Sequence, residues 1–390
     1  MSNPLSIPGP RRDRGGVGDF GWPAGKCLVG VHGRADGPLQ YADEYAVRTA
    51  GVESVKLMST ARPGDVDNLR AIRADMFILV RLFADFRDRV VRPYEFVSWL
   101  EDDLRNFYNR GVRYFEIHNE PNLQIEGWQR SWQGGRDYGR WHLDVMGRLR
   151  AKFPEALFGF PGLSPGPGIT DQRSEIWTFL LAADEAVRFS DWVGVHCYWL
   201  SDAEMAQAGG GRVYEEVRRK YPDKLLFITE FSNPAPWVDA PTRGEQYVRY
   251  YNALRAVPGI GAAFAFALSA SANFPHEVWR REDGSLTAIP GIVGARNPDP
   301  LPEGESEDPM AVLSDILTKL KKDTPLALVE TLTGLSVRDA NGAWLRTLPA
   351  GSRNFLYSER ITYPWLYGDN RVLINPEGTE NIWDAQPPSP

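Results

Sequence analysis

Two glutamates, Glu120 and Glu230, stand 110 residues apart (230 − 120), and each ends a largely apolar run. The first run reads "YFEIHNEPNL" (114–123), where apolar residues give way to His118, Asn119 and Glu120 before Pro121 stops the element. The second is "LLFITE", closing on Glu230. A carboxylate buried alone at the tip of a strand costs on the order of several kcal/mol, so such a group must be paired, open to a cleft, or used. Two carboxylates that converge can divide labour. One protonates a leaving oxygen while the other meets an oxocarbenium-like carbon, as hydrolysis of a glycosidic bond requires. At a separation of about 5–5.5 Å the second acts as a nucleophile and the anomeric configuration is retained.

The elements around these residues predict how they are held. Apolar runs read as strands at "KCLVGVH" (26–32), "SVKLMS" (54–59), "MFILVRLF" (76–83), "RYFEIHN" (113–119), "ALFGFPG" (156–162), "WVGVHCYW" (192–199), "LLFITEF" (225–231) and "GAAFAFALS" (261–269). Amphipathic segments lie between them, among them "PYEFVSWLEDDLRNFYNRG", "SEIWTFLLAADEAVRF", "GRVYEEVRRKY" and "EQYVRYYNALRAV". Pro93 suits a first helical turn and Gly111 a C-terminal stop. An eighth helix is expected at "DPMAVLSDILTKLKK" (308–322). Eight strands each followed by a helix predict a (β/α)₈ TIM barrel over residues 26–325. An open doubly wound sheet would read similarly, but "GVHGRADG" is not the glycine-rich phosphate motif that such a sheet places after its first strand.

In a barrel, chemistry sits at the C-terminal strand ends, and side chains alternate between axis and helices. By that alternation Phe115 and Ile117 face the helices, while Glu116 and His118 face the axis. On the sixth strand Val193, Val195 and Cys197 point out, leaving His196 and Tyr198 inward. His32, Arg34 and Arg81 join them from the first and third strands. Glu116 is expected to be a buried partner of Arg81 or Lys56 rather than a catalyst. A metal cluster of His32, His118 and His196 is the rival reading, but the first strand lacks the His-x-His usual for barrel metallohydrolases, so the expectation is no metal and no organic cofactor.

Five tryptophans follow strand ends: Trp128 and Trp132 after Glu120, Trp199 after Tyr198, Trp237 after Glu230, and Trp279 beyond the eighth strand. Flat aromatic faces suit the apolar face of a pyranose, and at least two are expected to be sugar platforms. Trp99, Trp141 and Trp177 lie at apolar helical spacing and read as core.

Composition excludes several classes. The chain has 390 residues and a net charge of −7, which argues against a nucleic-acid surface. No apolar run approaches the ~18 residues of a membrane span. Residues 1–25 read as a flexible Pro/Gly arm without the apolar core of a signal peptide, so a cytoplasmic location or release without a classical signal is expected. Cys27 and Cys197, the two cysteines, sit inside strand-like runs and read as buried thiols, which fits a reducing compartment. From residue 326 the pattern changes to short alternating runs broken by Asn-Gly and Pro-Ala-Gly turns, as in a small antiparallel β unit over 326–384, with a disordered tail at 385–390.

Two resemblances add to this reading. "FEIHNEPNL" resembles the Asn-Glu-Pro motif of glycoside hydrolase clan A, the retaining TIM-barrel glycosidases, and its Pro-Asn-Leu continuation is nearest to family 39. "WVGVHCYW" is similar to the clan's His-x-Tyr element and "LFITEFS" to its nucleophile strand. The resemblance implies Glu120 as acid/base, Glu230 as nucleophile, Asn119 on the sugar 2-hydroxyl, Tyr198 orienting Glu230, and His196 lining the site. His118 stands where family 39 usually has tryptophan, and the clan's basic residue near the nucleophile has two candidates, Arg81 and Lys56. The tail run with Leu335, Val337, Arg338, Asp339, Gly342, Leu348 and Gly351 resembles bacterial SH3-like domains, which implies attachment to a cell-wall or extracellular glycan. A carbohydrate substrate is the expected partner; a metal-dependent barrel hydrolase and a non-catalytic carbohydrate-binding barrel are the alternatives.

Overall fold

The computed structural model of the protein describes residues 20–297, apart from positions 21, 88, 272 and 273, and the strands between Pro325 and Asp384. Eight parallel strands close on themselves in chain order: β1 (Leu28–His32), β2 (Ser54–Met58), β3 (Phe77–Leu82), β4 (Tyr114–Ile117), β5 (Leu157–Phe160), β6 (Trp192–Tyr198), β7 (Leu225–Ser232) and β8 (Ile260–Ala265). The ring is completed where β1 pairs with β8, from Leu28 opposite Ala262 to Val31 opposite Ala265. Parallel strands covered on both faces need near-continuous apolar runs, and these strands are buried almost throughout. The expected TIM barrel is therefore present, with each strand contained in or overlapping its predicted run.

Ten helices among the described residues clothe the barrel: α1 (Tyr41–Ala50), α2 (Gly64–Ile72), α3 (Pro93–Asn109), α4 (Gly135–Lys152), α5 (Ile176–Ala182), α6 (Asp184–Phe189), α7 (Asp202–Met205), α8 (Val213–Lys220), α9 (Ala240–Leu254) and α10 (Ile289–Gly294). Their starts follow capping chemistry. Pro93 opens α3, where Glu95 reaches back to the Arg92 amide at 2.8 Å, and Asp239 accepts from the Thr242 amide at 2.9 Å ahead of α9. The single helix expected over "SEIWTFLLAADEAVRF" is two, α5 and α6, meeting at Ala183. The helix following β8 among the described residues is the six-residue α10; the segment expected to be helical at 308–322 lies outside the described residues.

Inside the ring the two ends differ. At the N-terminal end Leu28, Leu79, Trp192, Leu225, Phe227 and Phe264 form an apolar cluster. Phe20 and Trp22, which the sequence placed in the N-terminal arm, pack against this floor, with Trp22 edge-on to Phe77 at 5.0 Å and to Phe227 at 5.3 Å. At the C-terminal end the interior holds Lys56, Arg81, Glu116, His196 and Glu230, all buried. Outward-facing Phe115, Ile117, Val193, Val195 and Cys197 join the large barrel–helix core, and both cysteines are free and buried.

The chain divides into two compact units, Met1–Pro302 and Glu303–Pro390. Among the described residues the second contains seven strands in antiparallel pairings: β10 (Leu335–Asp339) between β11 (Trp344–Leu348) and β15 (Asn381–Asp384), β9 (Pro325–Glu330) with β12 (Arg353–Tyr357), and β13 (Tyr363–Tyr367) with β14 (Asn370–Asn375).

Candidate active site

β4 ends at Ile117, and the backbone then passes through two left-handed residues, His118 (φ 70°) and Glu120 (φ 31°). Non-glycine residues held there cost on the order of 1–3 kcal/mol each and persist only where the surroundings enforce them. Those surroundings are visible. Fully buried Asn122 donates from Nδ2 to the Ser164 and Ser174 carbonyls at 2.9 and 3.1 Å and accepts the Ser164 amide at 2.9 Å, tying the β4 loop to the β5 loop.

The turn overturns one expectation. His118 faces away from the axis: its ring stacks on Phe86, with centroids 4.2 Å apart, and Nε2 donates to the Glu126 carbonyl at 2.8 Å. Alternation ceases once the backbone leaves the β region, so the residue after Ile117 lands among aromatic side chains beneath α3 and α4. Burial pushes its imidazole down to about 4.

The remaining polar residues meet on the axis. Glu116 Oε2 accepts from Arg81 Nε at 2.7 Å and from Lys56 Nζ at 3.3 Å. Glu230 Oε1 pairs with Arg81 Nη1 at 2.7 Å and Lys56 Nζ at 3.4 Å, while Oε2 accepts from the Tyr198 hydroxyl at 2.6 Å. Both candidate basic residues therefore touch Glu230, and Glu116, expected to partner Arg81 or Lys56, binds both. His196 Nδ1 lies 2.8 Å from Glu120 Oε1 and 3.6 Å from Glu230 Oε2. One oxygen of Glu120, one of Glu230 and a His196 nitrogen all fall within 4.8 Å of one another. Gly162 makes this possible, because a Cβ there would stand 2.1 Å from the His196 ring.

Electrostatics follow from these partners. Burial alone would raise the Glu230 carboxyl, but His196, Arg81 and Lys56 outweigh it and hold the group well below the ordinary carboxylate range. Glu116 is likewise opposed by burial and lowered to about 2 by Arg81 and Lys56. Lys56 is pushed down to about 8 by burial and by Arg81, against the pull of Glu116 and Glu230.

Above the pair opens a cleft of about 630 Å³, lined by Glu120, Glu230, Asn119, Arg81, Tyr198 and His32. His32 is almost wholly buried, and its Nε2 has no partner among the described residues. Arg34 instead pairs with Asp36 at 2.9 Å and donates to Ser271 Oγ at 2.7 Å.

None of the expected tryptophan platforms borders this cleft. Trp199 and Trp279 are 1% and 0% exposed; Trp199 stacks on Phe231 at 5.7 Å. Trp132 is buried, Trp128 is half-buried with its Nε1 bonded to the Gln133 carbonyl, and Trp237 is 73% exposed outside the cleft. The reason is packing: helices approach the outward face of each strand end, and large flat side chains there seal the gap. Trp99, expected in the core, is 45% exposed with the Arg89 guanidinium over its ring. Phe266 and Phe274, edge-to-face at 4.9 Å, supply the aromatic wall of the cleft instead.

Two acids in the cleft had no signal strong enough to single them out. Glu126 lies in a 3₁₀ turn after β4, and burial pushes it up to about 8, opposed by a bond from Asn119 and reinforced by the Glu120 charge. Glu277 is raised by burial to about 7. Gly127 after Glu126 was the one local hint of a tight turn.

A metal would find Glu120, His196 and Glu230 as its donor set among the described residues; His32, His118 and His196 do not cluster. Glu230, however, is already occupied by Arg81, Lys56 and Tyr198, and two of these are cations.

No family model matches the chain, and no curated protein matches it. Solved structures do. A β-glucuronidase of Bacteroides uniformis aligns with a TM-score of 0.52 at 10% identity, covering 92% of this chain and 45% of its own. A GH128 (subgroup II) endo-β-1,3-glucanase of Pseudomonas viridiflava aligns at 0.48 with 13% identity, covering 69% and 98%. A glucosidase of Croceicoccus marinus aligns at 0.49 with 15% identity, covering 68% and 66%. The chain shares the barrel fold of solved glycoside hydrolases. At these identities the likeness concerns fold, and function must be argued from the site.

Proposed function

We propose that the protein is a retaining glycoside hydrolase acting on a β-linked saccharide, with Glu120 as acid/base and Glu230 as nucleophile. The observation that carries this reading is the approach of the two carboxylates to within 4.8 Å at the mouth of the barrel. That spacing suits direct attack and is tighter than the roughly 6.5–9.5 Å that seats a water in inverting enzymes. Glu230, ionised and oriented by Tyr198, Arg81 and Lys56, attacks the anomeric carbon while Glu120 gives its proton to the departing oxygen. Glu120 then takes a proton from water, whose oxygen displaces Glu230 and restores both groups. Asn119, on the resemblance to clan A, meets the 2-hydroxyl of the sugar, and the Phe266–Phe274 wall offers the apolar surface expected of tryptophan. If the tail is an SH3-like module, a cell-wall or extracellular glycan is the substrate class it favours.

The test uses aryl β-glycosides. Glu120→Gln is expected to cut hydrolysis by about 10²–10⁴-fold on poor leaving groups and far less on good ones. Glu230→Ala is expected to abolish both, with azide restoring turnover as a glycosyl azide. Equal, small effects from both changes would refute the assignment.

The Glu120–His196–Glu230 cluster supports a second reading, a metal-dependent barrel hydrolase. Loss of activity with a chelator and recovery with zinc would favour it. No turnover of any aryl glycoside would leave a carbohydrate-binding barrel.

A further inference from the structure

We propose that Glu126 is a positioning residue: through the Asn119 amide it fixes how the cleft reads the substituent beside the anomeric carbon of the sugar. This deepens the glycosidase reading and rests on it.

Glu126 lines the cleft, yet its side chain is only 13% exposed. Its Oε1 accepts from Asn119 Nδ2 at 3.0 Å. The backbone on either side is fixed. Gln124, at the start of the same 3₁₀ turn, donates its amide to the Gln172 carbonyl at 2.8 Å, and the Glu126 carbonyl accepts from His118. Gly127 closes the turn at φ 117°, where a Cβ would meet Phe86 and Trp132 at 2.8 Å, so the turn tolerates no side chain. Glu126 is therefore a rigid acceptor, not a surface acid that happens to touch Asn119.

The consequence falls on the amide. With its NH₂ side committed to Glu126, Asn119 presents Oδ1, and that oxygen is buried without a partner among the described residues. A buried acceptor left unmatched is costly until a donor arrives. A sugar with a hydroxyl next to its anomeric carbon brings that donor into the cleft, and hydrogen bonds at this position strengthen in the transition state. An unanchored Asn119 is free to rotate and no longer holds Oδ1 in place for the 2-hydroxyl proton. The structure thus gives Glu126 a task that sequence alone hides, since it acts on substrate only through a neighbour.

The experiment compares wild type, Glu126→Ala, Glu126→Met, Glu126→Gln, Asn119→Ala and the Glu126→Ala/Asn119→Ala double variant. Substrates are an aryl β-glycoside that the protein hydrolyses and its 2-deoxy counterpart, with thermal melts confirming folding. Glu126→Ala, and Glu126→Met should the alanine variant not fold, is expected to lower kcat about 10-fold on the parent glycoside, with KM little changed. It should scarcely affect the 2-deoxy substrate. Glu126→Gln keeps an acceptor of the same reach and should restore most of the loss, and the double variant should be no worse than Asn119→Ala. Equal losses on both substrates, or losses that add in the double variant, would overturn the inference while leaving the glycosidase reading intact. A wild type inactive on every aryl glycoside would remove both.

Discussion

The two ends of the barrel interior are built from the same eight strands and obey opposite rules. At the floor, Phe77, Tyr114 and Phe227 each meet Trp22 edge to face, and Phe227 lies 5.0 Å from Trp192 and 5.6 Å from Tyr114. Apart from the Trp22 and Trp192 indole N–H groups, which donate to the Lys26 and Leu157 carbonyls at 2.9 and 3.1 Å, the packing there depends on shape. At the mouth, Lys56, Arg81, Glu116 and Glu230 form a buried lattice of two cations and two anions. Such a lattice is poor value as a source of stability, because desolvation offsets most of the attraction. A chain that needed only a core could have filled both ends with Leu and Phe. At the mouth, Arg81, Lys56 and Tyr198 hold Glu230 ionised and oriented.

Removing one member of the lattice gives the largest expected effect. Arg81→Met leaves Glu116 and Glu230 short of a countercharge and should destabilise the fold by about 3–5 kcal/mol, measured by urea denaturation. On the proposed function it should also raise the pH below which hydrolysis fails, because Glu230 loses a partner that lowers its pKa. A stability change below about 1 kcal/mol would mean that the charged mouth depends on its partners no more than the floor does.

A smaller effect isolates Lys56. Its folded pKa of about 8 lies below the ordinary lysine value of 10.5, so between these values the unfolded chain binds more protons than the folded one. Unfolding free energy should therefore rise with pH through that window, by at most about 1.4 kcal/mol per pH unit. Wild type should gain on Lys56→Met over the same range. A pH-independent difference between the two would show that Lys56 is not perturbed.

The smallest effect belongs to the floor. Phe227→Leu, near in volume, should cost about 1 kcal/mol and leave kcat unchanged. A large loss of kcat at normal stability would mean that the two ends are not separable.

Much of this arrangement was legible in the chain. Apolar runs of strand length, broken by helical spacing, are a strong signal because each face of a barrel strand is buried. The alternation within β6 placed His196 and Tyr198 inward, and the same rule turned Glu116 inward, where a partner in Arg81 or Lys56 was expected and both are found. It failed at His118, where two non-glycine residues adopt positive φ under constraint from Asn122 and the β5 loop, contacts that no local pattern encodes. Glu126 was missed for a related reason, since its partner Asn119 is seven residues away across that turn (126 − 119). The tryptophans misled because position after a strand end does not say whether a side chain looks up into the cleft or out towards the helices. For Trp199 that choice is made by Phe231, Tyr247 and Tyr250.

On the proposed function, Glu120 and Glu230 act on one anomeric carbon by two successive displacements. Proton NMR of the first product formed from a hydrolysed aryl β-glycoside, recorded before mutarotation, reports this directly. The β anomer is expected first. Initial appearance of the α anomer would mean a single displacement by water and would contradict it.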